Sequence, residues 1–219
     1  MFIDTHCHLS LEDYDDIDQV IKENREAGID KMIISGCTKE SILESLSYAD
    51  KYDDVYVTIG FHPSEVDTIT FEDIMLLEEK IKHEKVVGIG EIGLDYHYGK
   101  ENVEEQKHLF RRQLAMADRH HLPVVIHSRD ATEDTISLLK EFPNLKGDIH
   151  CFSGSLEMAR EFIKLGYKLG IGGILTYSNS KLKDVIKEID LDNIVLETDS
   201  PYLTPELLRG QKNKPSNVY

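Results

Sequence analysis

The chain has 219 residues, 40% of them hydrophobic, which is enough to bury one sizeable core. Its 41 acidic against 25 basic residues leave a net charge of −16. That balance excludes broad attraction to nucleic acid or anionic membranes, although a local Arg cluster with bound cations can reverse the field inside one cleft. No apolar run approaches the roughly 20 residues needed to cross a bilayer, and the start lacks the basic and apolar regions of a signal peptide. Cys7, Cys37 and Cys151 show no zinc-knuckle spacing and cannot pair evenly, so the expectation is reduced thiols in a cytoplasmic protein with no membrane partner.

Taken in order, the chain alternates strand-like and helical runs, with no linker, low-complexity tract or composition shift to divide residues 1–219 into more than one domain. Strands are expected at 2–6, 31–35, 55–60, 86–91, 123–127, 147–151, 167–171 and 194–198. Between them, Ile74, Leu77 and Ile81 follow the capping-box pattern Thr70-Phe71-Glu72-Asp73. Val103, Phe110, Leu114 and Ala117 mark one face of a long helix, and Leu182, Val185, Ile186 and Ile189 another. Eight strands, each followed by a helix, is the count of an α/β (β/α)8 TIM-type barrel. The alternative, an open doubly wound sheet, usually has fewer strands, and no Gly-rich phosphate loop follows the first strand.

In the first strand, His6 and His8 share one face and Cys7 takes the other. Their Cα atoms would lie roughly 6.5 Å apart, close enough for both imidazoles to reach one ion. Alone, the pair reads equally as two histidines on a solvated strand end. Functional residues of a parallel barrel gather at the C-terminal ends of its strands. There the chain places His6 and His8 (first strand), Cys37 (second), His62 (third), Glu91 (fourth), His127 (fifth), His150 (sixth) and Asp199 (eighth). The remaining histidines, at 83, 97, 108, 120 and 121, fall in helices or loops and read as solvated or interfacial. Four His and two carboxylates exceed what one tetrahedral zinc needs. A pair of divalent ions about 3.5–4 Å apart, bridged by a carboxylate, fits the count better.

These residues sit in the segments DTHCHL (4–9), GFHPSE (60–65), GEIGLDYH (90–97), PVVIHSRDA (123–131), HCFSGS (150–155), GIGGILTY (170–177) and LETDSPYLTPELLRGQKNKPSNV (196–218). Through them the chain resembles the TatD family of metal-dependent deoxyribonucleases, within the amidohydrolase-like barrels. The resemblance implies that His6 and His8 bind one ion, His127 and His150 the other, that Glu91 bridges them, and that Asp199 stands at the first ion beside the attacking water. It also implies that His62 contacts the scissile phosphate, against the plainer reading of a turn-capping histidine.

Arg129 is placed to hold a phosphate with its planar fork of donors; Arg209 and Lys212 are weaker candidates. Tyr96 and Tyr177 lie in rim loops, available either to stack on bases or simply to pack. Glu197 shares a strand face with Asp199 and either orients a ligand or pairs with a nearby base. The cysteines read as small buried apolar residues rather than ligands.

Family members usually continue for several tens of residues beyond the equivalent of 213–218, so the last helix is expected to be missing and apolar barrel surface left uncovered. The expected activity is hydrolysis of DNA phosphodiester bonds, on single strands or from 3′ ends, with Asp199 and Glu91 as catalytic residues and two ions drawn from Zn, Mn, Mg or Ni as cofactors. Two alternatives stay open: a hydrolase of a small ester, lactone or amide, or of an aminoacyl-tRNA ester, and a metal-binding barrel with only an interaction role.

Overall fold

A computed structural model describes residues 2–99 and 101–218. Eight parallel strands pair in chain order, β1 through β8, as one sheet. They are β1 (Phe2–Cys7), β2 (Ile29–Gly36), β3 (Val55–Ile59), β4 (Val86–Asp95), β5 (Val124–Arg129), β6 (Gly147–Ile149), β7 (Tyr167–Ile171) and β8 (Ile194–Leu196). The sheet closes on itself through backbone contacts just past β8: the Thr198 and Asp199 amides donate to the His6 carbonyl at 3.4 and 3.0 Å. A buried side chain reinforces the seam, as Asp4 accepts from the Thr198 hydroxyl at 2.6 Å and the Thr198 amide at 3.0 Å.

Among the described residues seven α-helices cover the strands: α1 (Ile17–Glu26), α2 (Lys39–Lys51), α3 (Phe71–Lys80), α4 (Val103–His120), α5 (Thr132–Lys140), α6 (Leu156–Lys164) and α7 (Leu182–Ile186). The Thr70 capping box forms at the head of α3, with reciprocal bonds between Thr70 and Asp73. Each helix turns an apolar face to the barrel; Phe110, Leu114 and Ala117 of α4 are fully buried against it. Among the described residues no α-helix follows β8, only short 3-10 turns at Glu206–Leu208 and Pro215–Val218, and Phe2 and Leu196 are exposed. None of the described helices is long and apolar enough to cross a membrane.

Three expectations need correction. The sixth and eighth strands end at Ile149 and Leu196, earlier than positions 151 and 198. Shortly beyond these ends the backbone enters the left-handed region, at φ 47° for Cys151 and φ 52° for Asp199, and a ladder cannot continue there. Ile189 lies beyond α7, which spans only Leu182–Ile186.

Candidate metal centre

The long strand β4 organises the centre. One extra residue in β4, between the pairs Ile89–Val124 and Ile92–Ile126, shifts its register against β5. Beyond this bulge Gly93 pairs with His127, and its φ is 150°. A Cβ at Gly93 would fall 1.9 Å from the His127 carbonyl oxygen, so glycine lets the two backbones approach and brings Glu91 beside His127.

Two clusters share the Glu91 carboxylate. In the first, His6 Nε2 and His8 Nε2 are 3.2 Å apart. They lie 3.5 and 3.6 Å from Glu91 Oε2 and 3.5 and 3.4 Å from Asp199 Oδ1. A tetrahedral ion with ligands at about 2.0–2.1 Å needs ligand–ligand edges of about 3.3–3.4 Å. Five of the six edges of such a tetrahedron, at 3.2–3.6 Å, lie close to that length. In the second cluster, Glu91 Oε1 is 2.7 Å from both His127 Nδ1 and His150 Nε2, which are 3.2 Å apart. Their mean spacing matches a triangular face of an octahedron, about 2.9 Å per edge for the same bond length, and leaves further coordination positions open.

Burial and opposing charges shape the electrostatics. Burial disfavours ionised Glu91, but His150, His127 and His6 outweigh it and hold the carboxyl well below its ordinary range. Asp199 is lowered for the same reason, burial being overcome by His6 and His8. Burial alone would lower His6, His8 and His127. Asp199 and Glu91 raise His6 well above 6.5, and Cys37 and Asp199 raise His8 likewise. Asp95 and Glu91 bring His127 to about 9. His150 stays lowered by burial. These histidines must be neutral to bind an ion, so ion binding releases protons.

His62 behaves differently. Burial pushes it down to about 4, so it is neutral at neutral pH. Its Nδ1 accepts the Ser64 amide at 3.1 Å, which leaves the ring hydrogen on Nε2, 3.6 Å from Glu91 Oε1 and facing the cleft. Arg129 ends β5 exposed, its guanidinium 5.3 Å from the Tyr98 ring centre.

All six expected ligands therefore converge, with His62 beside them. The remaining candidates are placed as follows. Cys37 and Cys151 are half-buried rather than fully buried apolar residues, and Cys37 Sγ lies 3.6 Å from Glu91 Oε2 and 3.9 Å from His8 Nδ1. Cys7 is fully buried, its thiol donating to the Ile33 carbonyl. Tyr96 donates to Asp134 at 2.8 Å and is half-buried, whereas its neighbour Tyr98 is the exposed ring. Tyr177 is capped by Arg209 at 4.7 Å. Lys212 binds the Asp13 carbonyl, a structural tie.

Asp95 is a site residue that the sequence reading passed over. Its Oδ2 takes His127 Nε2 at 3.1 Å, orienting that ring so that Nδ1 faces the cluster. The Ser35 carbonyl serves His8 Nδ1 in the same way at 3.1 Å. Strand alternation along Glu91-Gly93-Asp95 carried the signal for Asp95; nothing in sequence marks a backbone oxygen.

A family model described as TatD related DNase matches residues 3–219. The chain belongs to the TatD family. YabD of Bacillus subtilis, a metal-dependent hydrolase, is 43% identical over 222 residues, covering all of this chain and 87% of that protein. The Escherichia coli metal-dependent hydrolase YjjV is 36% identical, covering 99% of this chain and 86% of its own length. The crystal structure of YjjV, a TatD homologue, superposes with a TM-score of 0.91 at 35% identity, covering 99% of this chain and 86% of that one. A TatD-family hydrolase from Entamoeba histolytica follows at 0.83 and 26%, covering 99% and 87%. The chain is a metal-dependent hydrolase of the TatD family with a TIM-barrel fold.

Proposed function

We propose that this TatD hydrolase cleaves DNA phosphodiester bonds, working from 3′ ends of single strands, at a centre of two divalent ions. His6, His8, Glu91 and Asp199 would hold one ion, and Glu91, His127 and His150 the other. When bound, such ions make a coordinated water acidic near neutral pH and draw charge from phosphate oxygens. The chain's own groups do the rest. Asp199, ionised and at the edge of the first cluster, takes the proton of the attacking water. His62 offers Nε2–H to a phosphate oxygen, and Arg129 holds a neighbouring phosphate.

The observation that carries this reading is Glu91 placed between two ligand clusters, with a neutral His62 donor beside the same carboxylate. The cleft is asymmetric. On its β1–β2 side a space of about 590 Å³ is lined by Glu12, Asp13, Glu40, Glu44 and Glu65. On its β5–β7 side a space of about 690 Å³ carries Arg129, Lys181, Tyr177 and Asn179. A polyanion is repelled from the first and admitted by the second, so the DNA strand approaches over β5–β7.

The acidic side favours a second reading, hydrolysis of a small uncharged ester or lactone, which that repulsion would not exclude. An assay on end-labelled single-stranded DNA with Mg²⁺ or Mn²⁺, with and without chelator, separates the two. Metal-dependent release of nucleotides from the 3′ end supports the first. No DNA cleavage alongside turnover of small esters or lactones would replace it with the second.

A further inference from the structure

An imidazole that offers one nitrogen to an ion must place its second nitrogen somewhere. For His8 that place is the Ser35 carbonyl, and for His127 it is Asp95. His6 and His150 differ. Their Nδ1 atoms are buried and have no hydrogen-bond partner in the protein. Two carboxyl oxygens share that condition, Asp148 Oδ2 and Glu197 Oε2.

These four atoms belong to one region beneath the centre. Asp148 lies two residues before His150, on the same face of β6 and its extension. The His6 and His150 rings stack at 4.2 Å with planes 22° apart. Glu197 is fixed beside them: its Oε1 accepts the Cys151 amide at 2.6 Å and lies 4.0 Å from His150 Nδ1. Its Oε2 occupies the place that a Cβ on Gly170 would take, 2.1 Å away, so glycine in β7 makes room for the carboxyl. The charge of His6 acts on both Asp148 and Glu197.

Unpaired buried polar groups are costly, and proteins rarely leave four together without a shared partner. With Nε2 of each ring turned to the centre, both Nδ1 atoms carry hydrogen and cannot bind a cation, so water is the occupant that fits. Water also matches them chemically. Its lone pairs accept from two N–H groups, and its two hydrogens donate to two carboxyl oxygens.

We propose that one or two internal waters link Asp148 and Glu197 to the Nδ1–H groups of His6 and His150, making both carboxyl residues positioning residues of the metal centre. His6 serves the first cluster and His150 the second, so this buried relay orients one ligand of each. The proposal rests on the metal-centre reading and is independent of which ester is cleaved.

The test combines metal affinity with a direct view of the ring protons. Zn²⁺ affinity is measured by chelator competition for the native protein, Asp148→Ala and Asp148→Asn. ¹⁵N-histidine NMR of the metal-free proteins reports the Nδ1–H signals of His6 and His150. Asp148→Ala is expected to bind Zn²⁺ about 10- to 100-fold more weakly and to lose those protected signals. Asp148→Asn, which keeps an accepting oxygen, should stay within about threefold of native affinity and retain the signals. Native affinity and intact signals in Asp148→Ala would overturn the proposal, as would an Asp148→Asn defect as large as the alanine one. Should Asp148→Ala not fold, a high-resolution crystal structure of the native protein decides. Density for a water between Asp148 Oδ2 and either Nδ1 supports the relay, and a dry interior refutes it.

Discussion

Replacing Asp95 by alanine should weaken the second ion by an amount that depends on pH, because Asp95 acts on His127 in two opposed ways. It orients the ring through a 3.1 Å bond to Nε2, and loss of such a partner typically costs about 10- to 100-fold in metal affinity. Asp95 also heads the contributions, after opposing burial, that raise His127 to about 9. At pH 7 a proton held with that affinity competes with the ion by about 100-fold, from 10 raised to 9 minus 7. Without Asp95 its share of this competition disappears, while Glu91 keeps the rest. The proton gain therefore offsets part of the orientation loss at pH 7. At pH 9, where native His127 is already half deprotonated, the full loss of about 10- to 100-fold appears. Titration with Zn²⁺ against a competing chelator from pH 6.5 to 9 checks this, with the first ion as internal reference because Asp95 does not touch its ligands. A penalty constant across that range, or one shared equally by both ions, would refute the reasoning.

Asp199→Asn should lower kcat by about 10²- to 10⁴-fold if Asp199 takes the proton from water, while the second ion still binds; full activity in this variant removes that role. His62→Ala should cut kcat/KM by about 10- to 150-fold, the worth of one hydrogen bond to a charged group, and leave metal affinity within about twofold. Because His62 titrates at about 4, its contribution should be flat above pH 5.5, and an inflection near pH 6–7 traced to His62 would contradict its assigned neutral form. In chelator, thermal stability should fall as pH rises through about 9, since folded His127 holds its proton more tightly than an ordinary histidine near 6.5 and that advantage is fully present only below 6.5. Saturating metal at about 100 times its Kd should add roughly 2.7 kcal/mol of stability for each ion bound, and calorimetry showing no rise in Tm would count against specific binding to the folded chain.

The barrel and the convergence of the six candidate ligands were legible for one reason: their signals are local. Two-residue spacing puts His6 and His8 on one face, and a strand end in a parallel barrel points a side chain at the rim, which found His62, Glu91, His127, His150 and Asp199 individually. The residues that escaped depend on contacts between distant segments. Cys37 was assigned to the core because its neighbours gave no hint that its thiol would reach Glu91, 54 positions away. In sequence Tyr96 reads as open to stacking or packing, because the Asp134 acceptor that holds it lies 38 positions further on. Strand alternation along Glu91-Gly93-Asp95 marks the face that Asp95 shares with Glu91, but its meeting with His127 depends on the bulge in β4 that sets Gly93 opposite that residue. The early ends of β6 and β8 follow from left-handed backbone at Cys151 and Asp199, positions where sequence alone reads as continued strand.

In the proposed centre Glu91 serves two ions at once. Crystals grown with Mn²⁺, with data collected to exploit its anomalous scattering, test this most directly. Two peaks about 3.5–4 Å apart are predicted, one at Glu91 Oε2 with His6, His8 and Asp199 and one at Glu91 Oε1 with His127 and His150. A single peak at saturating Mn²⁺, or two that Glu91 does not bridge, would contradict the account.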